Sequence, residues 1–137
     1  MSGSEAILLV DDEPAHRRLF KRALLKAGVA NPIIEAGGVA DALQLIEKID
    51  SQELEAPRIA VIDLNLSDGR GTQIIKALRQ SEATSTLPII VLSTSQLDKD
   101  RSESLASGAT EYLTKSADLE SVSQAVAQLF SQLTATT

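Results

Sequence analysis

The chain has 137 residues, 43% of them hydrophobic and 23% charged, the balance of one soluble globular domain with its own core. It contains no cysteine, which excludes disulfides, thiolate metal centres and cysteine nucleophiles. The net charge of -6 works against nucleic acid and anionic lipid as partners, and no apolar run is long enough to cross a bilayer.

In chain order, the N-terminal "MSGSEAILLVDDE" has no basic stretch ahead of its apolar run. No signal peptide is expected, and a cytoplasmic location follows. "AILLV" (6–10) reads as the first strand. A helix follows, with Pro14 in its first turn, Phe20, Ala23, Leu24 and Ala27 on one face, and Gly28 as its stop. Its basic residues Arg17, Arg18, Lys21 and Arg22 read as a solvated face, and His16 as a surface residue. "NPIIEA" (31–36) is the second strand, followed by a helix with Val39, Ala42, Leu43, Ile46 and Ile49 inward. "RIAVIDL" (58–64) is the third, with Ile74, Ile75 and Leu78 marking the helix after it. "LPIIVLST" (87–94) is the fourth, followed by a weakly apolar helix around 99–107 that ends at Gly108. "EYLT" (111–114) is the fifth. The last helix carries Leu119, Val122, Val126, Leu129, Phe130 and Leu133, with Asp118 as a candidate cap.

Strand and helix thus alternate five times, and the longer strands are continuously apolar. Both features predict a parallel sheet covered on two faces, with right-handed crossovers. In such sheets ligands bind beyond the carboxyl ends of the strands. The first strand ends on Asp11, Asp12 and Glu13, the third on Asp63, the fourth on Ser93 and Thr94, and the fifth on Lys115. Carboxylates about 4 Å apart repel by roughly 4 kcal/mol at an effective dielectric near 20, so three together need cations among them. Lys115 supplies one charge, and a hard divalent ion such as Mg²⁺ suits the remainder. Carboxylates, Mg²⁺, a lysine and a hydroxyl are the parts of a phosphoryl-transfer site, where a carboxylate can itself be the acceptor. Each part alone has a plainer reading: Asp11–Asp12 as a helix cap, "DGRG" as a turn, Lys115 as a solvated edge residue. Their joint occurrence favours function.

The motifs "LLVDDEP", "VIDLNLSDGRG", "PIIVLSTS" and "GATEYLTKS" resemble the receiver domain of two-component response regulators, in particular the stand-alone type. The resemblance runs from about Ala6 to Leu133 and implies a flavodoxin-like (βα)5 fold, with a sheet ordered 2-1-3-4-5 and residues 1–137 as a single receiver without an output domain. It implies Asp63 as phosphoacceptor. Asp12, Asp63 and the Asn65 carbonyl would ligate Mg²⁺ (or Mn²⁺), with Asp11 acting through water. Lys115 would pair with Asp63 and then with its phosphoryl group, and Ser93 and Tyr112 would form the switch pair. Gly71 would close the loop. The implied partners are a histidine kinase or histidine phosphotransfer protein and a downstream protein target, without nucleic acid or membrane. A homodimer through the fourth and fifth helices is compatible with the apolar fifth helix. Beyond self-phosphorylation and slow autodephosphorylation, no enzymatic turnover is implied.

Three positions depart from the family pattern. Ser116 follows Lys115 where a proline with a cis bond is common. Since cis costs about 2.5–4 kcal/mol without proline, a trans bond with a shifted loop, or a strained cis bond, is expected. Ser67 replaces another frequent proline and predicts a looser loop. Thr94 is larger than the usual small residue and is expected to screen the phosphoryl group from water. Other readings are a receiver-like binding module without phosphorylation and a Mg²⁺-dependent phosphohydrolase, against which Asn65 lacks a titrating proton. Nucleotide or flavin binding on a similar fold lacks the glycine-rich phosphate motifs.

Overall fold

The structure, a computed structural model, describes residues 6–115 and 119–135. Five strands form one parallel sheet: β1 (Ile7–Val10), β2 (Ile33–Ala36), β3 (Ile59–Asp63), β6 (Ile89–Ser93) and β7 (Glu111–Thr114). A two-stranded antiparallel ladder, β4 (Asn65–Leu66) with β5 (Gly69–Arg70), lies directly after β3. The helices are α1 (Pro14–Lys26), α2 (Val39–Asp50), α3 (Gly71–Gln80), α4 (Asp98–Ser107) and α5 (Leu119–Ala135). A 3-10 turn at Glu82–Thr84 follows α3. The order β2-β1-β3-β6-β7 is the expected 2-1-3-4-5 once the short ladder is set aside.

The side-chain alternation of a strand explains the layers. Leu8, Val10, Ala60, Ile62, Ile89 and Val91 point to one face, where Ala42 and Ile46 of α2 and Ile74, Ile75 and Leu78 of α3 cover them. Ile7, Leu9, Ile59, Val61, Ile90 and Leu92 point to the other, under Phe20 and Leu24 of α1 and Val126 and Phe130 of α5. Both faces being covered, β3 is apolar without a break up to Ile62 and β6 up to Leu92. Ile59, Ala60, Val61 and Ile62 are wholly buried. A fully buried Ile or Val contributes about 1.5–3 kcal/mol. That is enough to anchor the backbone at Asp63 against repulsion among nearby acids. Leu43, expected inward, is 37% exposed, and Leu45 packs against the core instead. Asp118, offered as a cap, and the bond from Lys115 to Ser116 lie outside the described residues.

The first turn of α2 has no side-chain cap of its own, since Gly38 stands at its N-cap. Asp68, at the tip of the β4–β5 ladder, reaches across to accept the N–H groups of Val39 at 2.8 Å and Ala40 at 3.1 Å. A Cβ on Gly38 would lie 2.7 Å from Asp68 Oδ1, so the glycine makes room for the carboxylate. These bonds hold the Asp68 carboxyl below its ordinary value. A group with a lowered folded pKa adds stability above its unfolded value, and that stability is lost as pH falls through the folded one. Asp68→Ala is therefore expected to lower Tm by a few degrees at neutral pH, the difference closing in acid; thermal melts at several pH values check this.

Candidate functional site

The parallel register brings the strand ends to one edge. Val10 pairs with Ile62 and Asp63 with Leu92, so Asp11, Asp63 and Ser93 lie side by side at the carboxyl edge. Ser93 pairs in turn with Thr114, which sets Lys115 next to them. Among the described residues, one oxygen each of Asp11, Asp12 and Asp63 lie within 4.8 Å of one another. Lys115 Nζ bonds Asp11 Oδ2 at 2.8 Å and Asp63 Oδ2 at 3.5 Å.

Each carboxylate is held in its own way. Asp11 is buried, and its Oδ1 accepts the Glu13 N–H at 2.9 Å. This replaces the plainer cap reading, because Glu13 occupies the N-cap of α1 and makes no side-chain cap bond. Asp12 Oδ2 accepts the Ser67 N–H at 2.7 Å. Proline at this position could not make that bond. The structure thus corrects the expectation of a loosened loop: serine ties it to Asp12. Asp63 Oδ1 accepts the Asn65 N–H at 3.4 Å. Burial pushes the Asp63 carboxyl up; the Lys115 charge pulls it down and the Asp11 charge raises it again, leaving it above its ordinary value. Burial alone would lower the Lys115 ammonium, but its bond to Asp11 and the charges of Asp63 and Asp11 raise it.

Lys115 thus bonds two of the three clustered carboxylates, Asp11 and Asp63. An all-oxygen donor set with surplus negative charge fits a hard divalent ion such as Mg²⁺ or Mn²⁺. Asp11, Asp12 and Asp63 are the residues that could hold it.

Ser93 is fully buried, and its Oγ accepts the Ser95 N–H at 3.1 Å. Thr94 is exposed beside it. Tyr112 is buried, donates its hydroxyl to the Ser95 carbonyl at 2.8 Å, and lies under the Arg101 guanidinium, 5.4 Å from the ring centre. Gly71 opens α3 against Asp63: a Cβ there would stand 2.5 Å from the Asp63 carbonyl oxygen.

Two residues at the mouth escaped the strand-end reading. His16 Nδ1 lies 3.4 Å from Lys115 Nζ and 3.7 Å from Asp11 Oδ2, with the side chain 46% exposed. The signal was Pro14, which starts α1 so soon after Asp12 that residue 16 overhangs the strand ends. Arg70 donates to Asn65 Oδ1 at 2.6 Å, to Asp100 Oδ1 at 3.1 Å and to Glu103 Oε1 at 3.3 Å. "DGRG" reads as a turn, and nothing in it announces contacts with α4. Of the basic residues of α1, Arg17 and Lys21 pair with Glu35 of β2, while Arg18 is exposed as expected.

A family model described as the response regulator receiver domain matches residues 7–127. The chain belongs to this family. The receiver is 29% identical over 117 residues to the response regulator Rcp1 of Synechocystis sp., covering 85% of this chain and 80% of Rcp1. The Mn²⁺-bound form of Rcp1 superposes with a TM-score of 0.78 at 25% identity, covering 92% of the receiver and 94% of that chain. The phosphorylated cyanobacterial phytochrome response regulator RcpA gives 0.82 at 24% identity, covering 93% and 94% respectively, and shows the shared fold. Receivers are signalling modules of two-component systems that accept phosphoryl groups from histidine kinases, with Mg²⁺ or Mn²⁺ at an acidic pocket. Among the described residues, no helix of this one is long and apolar enough to cross a membrane.

Proposed function

We propose that this receiver is a phosphorylation switch whose acceptor is Asp63. The observation that carries the reading is the placement of Lys115 between Asp11 and Asp63, with Asp12 completing the acidic cluster. A histidine kinase or histidine phosphotransfer protein presents phosphohistidine. An Asp63 carboxylate oxygen attacks phosphorus, a P–O bond forms, the P–N bond breaks, and the histidine leaves with its electron pair and takes up a proton. Asp12, Asp63 and the Asn65 carbonyl would hold Mg²⁺ directly and Asp11 through water; the ion, when bound, neutralises charge on the phosphoryl oxygens.

Lys115 turns from the carboxylate to a phosphoryl oxygen, and the Ser93 hydroxyl is drawn in as a second donor. Drawing Ser93 inward loosens its bond with Ser95, whose carbonyl holds Tyr112. The change thereby reaches the surface of α4, β7 and α5, which a target protein or a second copy of the chain reads. Thr94 at the rim screens the phosphoryl group from water. The protein promotes its own phosphorylation and slow hydrolysis and turns over no other substrate. The pairing of Rcp1 with Mn²⁺ supports the metal part of this reading.

Intact mass after incubation with acetyl phosphate tests it. With Mg²⁺ the chain is expected to gain one phosphoryl group, and with a chelator in excess, almost none. Uptake indifferent to the chelator would remove the metal from the reading, and no uptake from either acetyl phosphate or a histidine kinase would overturn it.

A further inference from the structure

An arch of hydrogen bonds spans the mouth of the site. Asp63 accepts from the backbone N–H of Asn65, and Asn65 Oδ1 accepts from Arg70 at 2.6 Å. Arg70 reaches Asp100 on α4 at 3.1 Å. The other oxygen of Asp100 accepts from Ser95 Oγ at 2.6 Å, and the Ser95 N–H donates to Ser93 Oγ at 3.1 Å. The arch starts at the end of β3 and lands at the end of the neighbouring strand β6. Its geometry is built in: Asn65 and Arg70 are cross-strand partners in the short antiparallel ladder, which sets their side chains together.

The chemistry fixes more than position. Arginine has donors only, so the Asn65 amide must turn its oxygen to Arg70. The group of Asn65 left for the mouth is then its NH₂, a pair of donors. The guanidinium fork meets Asn65 with one nitrogen and Asp100 with the other, a span that a single ammonium cannot reproduce.

We propose that Arg70 is a positioning residue that sets the lifetime of the phosphoryl group, by holding Asn65 in this orientation and bracing it against α4. The inference rests on Asp63 being the acceptor. In hydrolysis a water oxygen attacks phosphorus, the P–O bond to Asp63 breaks, the carboxylate is restored, and phosphate leaves with the protons of the water. The closed arch keeps the Asn65 donors on the phosphoryl oxygens and narrows the approach of water. Without Arg70, the exposed Asn65 side chain rotates freely.

The test follows loss of the phosphoryl group by intact mass, after loading with acetyl phosphate and Mg²⁺ and removing excess donor. Arg70→Ala is expected to shorten the half-life about five- to tenfold, in keeping with the cost of small misplacements at a reacting centre. Arg70→Lys is expected not to restore it, and Asp100→Asn to shorten it to a lesser degree. If Arg70 acts through Asn65, the double variant with Asn65→Ala decays no faster than the faster single variant, a non-additivity that mere loss of stability does not produce. A native half-life in Arg70→Ala, full rescue by lysine, or effects that multiply in the double variant would each overturn the arch, and a native half-life in Asp100→Asn would overturn the brace to α4. Failure of the native chain to take up phosphate would overturn the acceptor reading and the arch with it, so the two failures are distinct.

Discussion

Asp63→Asn is expected to take up no phosphoryl group from acetyl phosphate or from a kinase, and to melt at a higher temperature than the native chain in the absence of divalent ions. The two effects have one origin. An amide cannot act as the nucleophile at neutral pH, so covalent uptake falls to background, whatever else the site retains. The same change removes one of three carboxylates that sit within 4.8 Å of one another around a single close lysine. Two carboxylates at that separation repel by roughly 3–4 kcal/mol at an effective dielectric near 20. The 3.5 Å contact of Asp63 with Lys115 offsets most of this, while Lys115 keeps its shorter bond to Asp11 in the variant. A net gain of about 1 kcal/mol, a few degrees in Tm, follows. Intact mass and thermal melts with chelator check the two halves separately. Phosphoryl uptake by the variant would assign the acceptor elsewhere, and a lower Tm would mean that the Lys115 contact outweighs the repulsion.

Gly71→Ala is expected to cost about 2–3 kcal/mol and to slow phosphorylation sharply. The backbone of Gly71 is ordinary, so the cost is one of space and not of conformational freedom. A methyl there would meet the Asp63 carbonyl oxygen at 2.5 Å, Ile62 Cγ2 at 3.0 Å and Leu64 Cα at 3.2 Å. Two of these three are backbone atoms in or next to β3, whose residues Ile59 to Ile62 are wholly buried. They cannot yield as the end of a flexible side chain would, so β3 and α3 must part. Parting them moves Asp63 relative to Lys115, whose position is set by a different strand. Urea unfolding measures the first effect, and the rate of phosphoryl uptake in fully folded samples measures the second. A variant of native stability would mean that α3 can slide without strain.

The strand ends were legible because parallel sheets put successive strand termini on one edge and because β3 and β6 are too apolar to be mistaken. Asp11, Asp63 and Lys115 meet as the order of the strands predicts. What was illegible depends on side chains that reach sideways between elements. Arg70 sits in a tetrapeptide with every mark of a turn, and its contact with Asp100 spans 30 positions. Asp68 caps a helix that begins 29 positions earlier. Periodicity carries no information about either pairing. Leu43 lies beside the buried Val39 and Ile46 on the helical wheel and shares its chemistry with Leu45. The choice between the two leucines is made by the angle at which α2 meets the sheet, which the apolar pattern alone leaves open. Ser67 shows the opposite case: its departure from a frequent proline suggested slack, and the freed N–H became a tether.

The chain has no tryptophan and a single tyrosine, and that tyrosine is Tyr112. Its ring is sealed from solvent, its hydroxyl is committed to the Ser95 carbonyl, and a guanidinium stands over its face. All near-ultraviolet emission above the phenylalanine background therefore comes from one ring, seated two hydrogen bonds from the buried Ser93 hydroxyl. The molecule carries its own optical gauge beside the carboxyl edge of the sheet. Unlabelled protein can accordingly be titrated with a metal, a phosphate donor or a binding partner, and any change in tyrosine emission assigned to Tyr112.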